Sequence, residues 1–242
     1  MAVRWFPGAE RILTAQAVAL PQPDQLCGPF AARAALHALL PAAEVPTLVA
    51  LADASGTSVW PHDVPQWRPP GAPLDRTGWH ELPTAATPEA SGTDAAPLAD
   101  GVRRITAGAI AVVAVNGAGA WSASSLDRLL HEVADATEPT AVLANVHTGP
   151  LMADLDARWE VGHFVVLVGL DERDPGRVVV ADSYAELGLP GWPPGCRAIP
   201  LEALAEALAA PPGRGLLLLG AADRHAELET WVASSGHTST AW

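Results

Sequence analysis

An α+β fold organised around an antiparallel sheet is what this sequence predicts, on three observations. Helix-forming segments rich in Ala and Leu dominate the first half, short apolar runs of strand length dominate the second, and two of those runs flank the hairpin-like turn "DERDPG".

Taken in order, residues 1–24 read as irregular and end in "LPQPD". From Gly28 to Leu40 strong helix formers follow one another. Pro29 suits a first helical turn, where its missing N–H costs nothing, and Pro41 stops the helix. "EVPTLVALADAS" reads as a second, short helix. A long loop-like stretch from Gly56 to Ala96 contains "SVWPHDVPQWRPP" and "GWHELP". Its tryptophans suit either a peptide-binding wall or a rigid loop pinned by buried rings, and the second is the expectation. "AGAIAVVAVNG" ends in a strand, and "SASSLDRLLHEVADA" is a helix with serines at capping positions. "TAVLANVH", "HFVVLVGL", "RVVVADS" and "GLLLLG" read as strands, with the helix "LEALAEALAA" before the last. The tail from Ala221 reads as a helix with a frayed end. The whole chain, 1–242, is expected to form one domain, with a helical lobe at about 22–106, a sheet lobe at about 107–220 and a tail at 221–242.

Composition removes several functions. Hydrophobic residues make up 49% of the 242 and charged residues 17%, enough for a substantial core. No run of eighteen apolar residues exists, so no spanning helix is expected. "RILTAQAVALPQP" is too short and interrupted for an export signal, and a cytoplasmic location is the expectation. The net charge is −13, and all 14 basic residues are arginine. Without lysine there is no Schiff-base chemistry and no Gly-Lys-Ser/Thr phosphate loop. The acidic balance argues against nucleic acid or an anionic membrane as partner. Two cysteines make no disulfide framework.

One of those cysteines is oddly placed. Cys27 opens the helix in "DQLCGPFAARAALHALL", where unpaired N–H groups and the helix dipole favour a thiolate. His163 begins the strand "HFVVLVGL" and Asp182 ends the next, "RVVVADS". With a hairpin tip at Glu172 and Arg173, His163 faces Asp182 directly. With the tip at Arg173 and Asp174, Asp182 is a diagonal neighbour on the same face. A one-residue slip or a bulge separates them onto opposite faces. A thiolate nucleophile, a histidine that carries its proton, and a carboxylate that fixes the histidine tautomer form a complete acyl-transfer set. The oxyanion also needs donors: the N–H of Cys27 and the side-chain amide of Gln22 or, as second choice, Gln25. The three residue types could also ligate a metal, but no paired-Cys spacing accompanies them, so neither metal nor cofactor is expected.

"CGPFAARAALHAL" and "GHFVVLVGLDERDPGRVVVADSY" resemble papain-like cysteine peptidases of the kind that cleave double-glycine leader peptides. They are also similar to the catalytic domain of phytochelatin synthases, as are "VNGAGAWSASSLDRLLHEV" and "GWPPGCRAIPLEALAEAL". The resemblance covers about 22–40 and 110–208. It implies a papain-like fold, with the nucleophile helix packed against the sheet, and the roles of nucleophile, base and orienting acid for Cys27, His163 and Asp182. The glutamine of that superfamily stands six residues before the cysteine. Here Pro21 occupies that place and Gln22 follows it.

The expected function is therefore hydrolysis of a peptide or amide bond through a thioester. The alternatives are transfer of a γ-glutamyl or peptidyl group to an amine, and a non-catalytic peptide-binding module. Arg33, Arg103 or Arg104 could assist an anionic substrate. Asn145 and His147 share a strand face and are expected to be structural; Cys196 is expected to be an ordinary loop or strand residue. His37, His62, His80 and His131 lack sequence partners and are expected on surfaces or loops.

Overall fold

The apolar runs assemble into one seven-stranded antiparallel sheet. A computed structural model of the chain describes residues 2–117, 121–152, 155, 158–211 and 214–240. Its strands are β1 (Val3–Trp5), β2 (Ile110–Asn116), β3 (Ala141–His147), β4 (Gly162–Asp171), β5 (Arg177–Ala181), β6 (Cys196–Pro200) and β7 (Gly215–Ala221). The α-helices are α1 (Ala9–Ala19), α2 (Cys27–Leu39), α3 (Leu48–Ala54), α4 (Ala95–Ile105), α5 (Ala123–Asp135), α6 (Leu201–Ala209) and α7 (His225–Ser234). The strand order is β2-β7-β3-β4-β5-β6, and β1 pairs with the far end of β4, Val3 opposite Asp171.

Helices cover both faces of the sheet. On one face, α1, α2 and α4 pack on Val112, Leu143, Phe164, Val166, Val179 and Leu217. On the other, α5, α6 and α7 pack on Val113, Val142, Val165, Leu167, Val180 and Leu218. This explains why "HFVVLVGL" is apolar throughout, since a strand dry on both sides has no polar alternation. It also gives the C-terminal tail a place, with Leu228, Trp231 and Val232 of α7 completing the second layer.

Helix α2 lies in the interior of the first layer. Its residues Phe30, Ala31, Ala32, Ala34, Ala35, Leu36 and Ala38 are all buried, so small side chains are needed nearly all round. Its first turn is the tightest point. A Cβ on Gly28 would stand 3.3 Å from the Cβ of Thr93 and 3.4 Å from the ring of Phe164. That closeness is what brings the start of α2 to the start of β4.

Four elements differ from the sequence reading. Residues 1–24 are not irregular, because they hold β1 and α1. Helix α1 buries Ala9, Ile12 and Gln16, a helical spacing disguised by a glutamine that donates 2.7 Å to the carbonyl of Asp182. Helix α4 begins inside the expected loop, and β6 was not among the expected strands. The stretch before α4 otherwise contains short 3-10 turns and isolated bridges, Ser58 with Gly92 and Val59 with Thr84. Among the described residues no helix is long and apolar enough to cross a membrane.

The β4–β5 hairpin adopts the diagonal register. Near the turn Gly169 pairs with Val179, but past an irregularity at Val168 the pairs become Leu167 with Val180 and Val166 with Ala181. The extra residue changes which side chains share a face.

Candidate active site

Cys27 is the first residue of α2 and is half-buried. Burial pushes its thiol up, but the hydrogen bond and charge of His163, with the backbone N–H groups of Phe164 and Gly28, outweigh that and hold it below its ordinary value. His163 is 2% exposed and Asp182 1%. His163 Nε2 lies 3.0 Å from Asp182 Oδ1, which leaves Nδ1 to face the thiol. Burial alone would lower the imidazole, yet the charge and hydrogen bond of Asp182, reinforced by Cys27, raise it to about 10. Asp182 is itself held below the usual carboxylate range, because His163, Arg197 and the N–H of Tyr184 outweigh its burial. All three shifts favour the charged forms, thiolate, imidazolium and carboxylate.

The imidazole sits in an aromatic box. Trp159 meets it edge-on with ring centroids 5.0 Å apart, Tyr184 lies 5.6 Å away, and those two rings meet edge to face at 5.3 Å. Thr148 anchors this wall, donating to the carbonyl of Trp159 and accepting from the N–H of Val161 at 2.9 Å.

The two candidate glutamines occupy different environments. Gln22 is buried and lines the same cavity as Cys27. Its Oε1 accepts from the Ser183 hydroxyl, and its Nε2 points to the Tyr184 oxygen at 3.4 Å. Gln25 also borders the cavity, but its amide is spent on the backbone of Trp60, donating at 3.0 Å and accepting at 2.7 Å. Its φ of 68° marks it as the turn that presents Cys27. This segment is fastened to the long loop between α3 and α4. Arg68 pairs with both Asp24 and Asp63, and the indole of Trp79 donates 2.9 Å to the carbonyl of Asp24. The loop supports the segment before Cys27 through buried Trp79, a pinned ring as expected, while Trp67 borders the cavity.

The cavity over Cys27 measures about 850 Å³. Arg214, just ahead of β7, also lines it. Its Nη1 donates 2.9 Å to Oδ1 of Asn145, its buried Nε has no partner, and a Cβ on Gly162 would stand 2.6 Å from its guanidinium. Burial lowers its pKa, and the charges of Cys27 and Asp94 oppose that. Arg33, Arg103 and Arg104, the basic residues proposed for an anionic substrate, do not line this cavity. Arg33 donates to the carbonyl of Pro46, Arg103 to Asp100 and the carbonyl of Val112, and Arg104 to the carbonyl of Ala54. Asn145 does line it, and holds Arg214 there. Cys196 is a free, buried thiol in β6, pushed up to about 12 by its burial.

Sequence reasoning passed over Ser183, Tyr184, Arg197, Trp159 and Arg214. Ser183 and Tyr184 complete "ADSY" directly after Asp182, Arg197 follows Cys196, and Arg214 stands in "PPGRGLLLLG". Each signal is a polar or aromatic residue at a strand end. Among the described residues no group of three or more His, Cys, Asp or Glu is arranged to hold a metal ion.

Comparison with curated proteins finds no match. Residues 6–242 match a family of unknown function, DUF6885. That match takes in α2, strands β2 to β7 and every residue of the site, and the chain belongs to this family.

Proposed function

We propose that this chain is a papain-like cysteine enzyme that cleaves a peptide or amide bond through a thioester on Cys27. One observation carries the reading. The thiol at the start of α2 lines one cavity with His163, which lowers its pKa, and the Nε2 of that imidazole lies 3.0 Å from a buried carboxylate.

The chemistry follows from that order. The Cys27 thiolate attacks the substrate carbonyl carbon, a C–S bond forms, and the carbonyl electron pair moves onto oxygen. The N–H of Cys27 and the Gln22 amide receive that oxyanion; Ser183 engages the amide through its oxygen, and Nε2, at 3.4 Å from the Tyr184 hydroxyl, is the donor. As the C–N bond breaks, Nδ1 of His163 gives its proton to the leaving nitrogen. Water then attacks the thioester, His163 takes its proton, and the C–S bond breaks to release a carboxylic acid and the thiolate. Asp182 keeps the ring tautomer throughout.

Arg214 favours a second reading, acyl transfer from a donor that carries its own carboxylate, such as a γ-glutamyl peptide. A half-buried guanidinium that lines the cavity with Cys27 and feels its charge suits an anionic group of the donor. In that case an amine rather than water resolves the thioester.

The test is incubation with glutathione and with a peptide library, reading the intact mass of the protein. An acyl adduct that maps to Cys27 and is lost in Cys27→Ala supports the proposal. Free acid as product marks hydrolysis; a new amide marks transfer. No adduct with any donor, together with an ordinary Cys27 thiol, overturns the enzyme and leaves the peptide-binding module.

A further inference from the structure

Arg197 is the one buried cation on the far side of the triad among the described residues, and nothing in the proposed mechanism uses it. It sits in β6 opposite Val180, on the sheet face that Asp182 also shares, and is 3% exposed. Its Nη1 lies 3.5 Å from Asp182 Oδ2 and donates 3.2 Å to the carbonyl of Leu187, while its buried Nε and Nη2 have no partner. Stability does not account for such a group. Burying an arginine against one carboxylate, with two donors unpaired, is costly, and apolar residues of similar volume do as well or better.

We propose that Arg197 is a positioning residue for the His163–Asp182 pair, holding the carboxylate ionised and turned while limiting how tightly it retains the imidazolium proton. This rests on the cysteine-enzyme reading. The two carboxylate oxygens have separate duties. Oδ1 accepts from His163 Nε2 and, at 3.1 Å, from the N–H of Tyr184, and Oδ2 faces the guanidinium. Leu187 fixes the guanidinium, so the carboxylate cannot rotate away from the imidazole. The cation also competes with His163 for the charge of Asp182. Without it, a dry carboxylate would bind the imidazolium so strongly that its proton would be poorly available to a leaving nitrogen. The resulting chain alternates in sign, from the thiolate of Cys27 through His163 and Asp182 to Arg197, and sums to zero in a dry site.

The other titratable and charged groups around this chain are Asp24 with its partner Arg68, Tyr184, Cys196, and across the cavity Arg214, Asp94 and Glu160. None is altered by the test. Three variants are compared with wild type: Arg197→Met, Arg197→Lys, and Arg197→Gln, which keeps a donor for Leu187 should the methionine variant fail to fold. Two quantities are read across pH: the 15N-imidazole signal of His163, assigned with His163→Ala, and the rate of Cys27 alkylation by iodoacetamide. Removing the cation should move the His163 midpoint and the acid limb of alkylation upward, by roughly half a unit or more, and lysine should return both towards wild type. Folded neutral variants with unmoved midpoints overturn the inference, as does a lysine variant indistinguishable from methionine. A wild-type Cys27 that alkylates like a free thiol overturns instead the reading on which the inference rests.

Discussion

His163 and Asp182 meet at 3.0 Å because β4 carries one residue more than its partner strand. The register near the turn, Gly169 opposite Val179, would put Asp182 across from Val166 and on the face opposite His163. The irregularity at Val168 shifts the pairing by one, Asp182 falls across from Val165, and the carboxylate returns to the histidine side. Deleting Val168 removes the extra residue but leaves Leu167 opposite Val180 and Asp182 opposite Val165, so base and acid stay on one face and the unusual reactivity of Cys27 should persist. Alkylation of the deletion variant at pH 6 checks this. Reactivity reduced to that of an ordinary thiol would show that the pairing on the site side does not by itself set the pair.

Gln22 and Gln25 should fail in different ways. Gln22→Ala removes an oxyanion donor and should lower turnover by about 10²–10³-fold, beyond the stability lost with its bonds to Ser183 and Tyr184. Gln25→Ala breaks two hydrogen bonds to the Trp60 backbone and should cost about 1–3 kcal/mol of stability, with a smaller effect on turnover. Thermal melts and acyl-adduct kinetics on both variants decide. Equal turnover defects would remove the distinction.

Acid should destabilise the fold through Asp182. Its carboxyl is held below the usual carboxylate range, so the stability it contributes is fully present above about pH 4 and is lost as pH falls through the lower folded value. Asp182→Asn leaves Arg197 buried without a charged partner and should cost about 3–5 kcal/mol at pH 7. Denaturant titrations at several pH values should show that gap narrowing below about pH 4. A gap independent of pH would mean that the charge of Asp182 carries no stability.

Gly162 leaves room for Arg214. Gly162→Ala places a Cβ 2.6 Å from both terminal nitrogens of the guanidinium, which must leave Asn145. The fold should survive, since the end of a flexible side chain can move. Adduct formation from carboxylate-bearing donors should fall roughly 10–100-fold, the worth of one charge-assisted hydrogen bond, while the same donors with the carboxylate esterified should be little affected. Equal effects on both sets of donors would remove Arg214 from donor recognition.

The parts of this protein that are legible in its sequence are those where one local force dominates. Ala and Leu between Pro29 and Pro41 dictate α2, and the run from His163 to Leu170 can only be a strand dry on both faces. Helix α1 was hidden because a buried Gln16 occupies an apolar position, and its use, a bond to the Asp182 carbonyl, exists only after folding. Spacing alone suggested that His163 and Asp182 are neighbours but could not supply the bulge, since an extra residue in one strand depends on its partner. Arg197 and Arg214 were missed for a related reason. A lone arginine at a strand end is ordinary in sequence, and only the sheet order brings one behind Asp182 and the other into the cavity with Cys27.

Iodoacetamide labelling of the native chain from pH 5 to pH 9, with sites located by mass spectrometry, reads the Cys27–His163 pair itself. Wild-type Cys27 should label well below pH 8.5, the ordinary thiol value, while buried Cys196 stays unlabelled, and His163→Ala should return Cys27 to ordinary behaviour. A wild-type Cys27 that labels only as a free thiol does, and is indifferent to His163→Ala, would end the case for a thiolate nucleophile at this site.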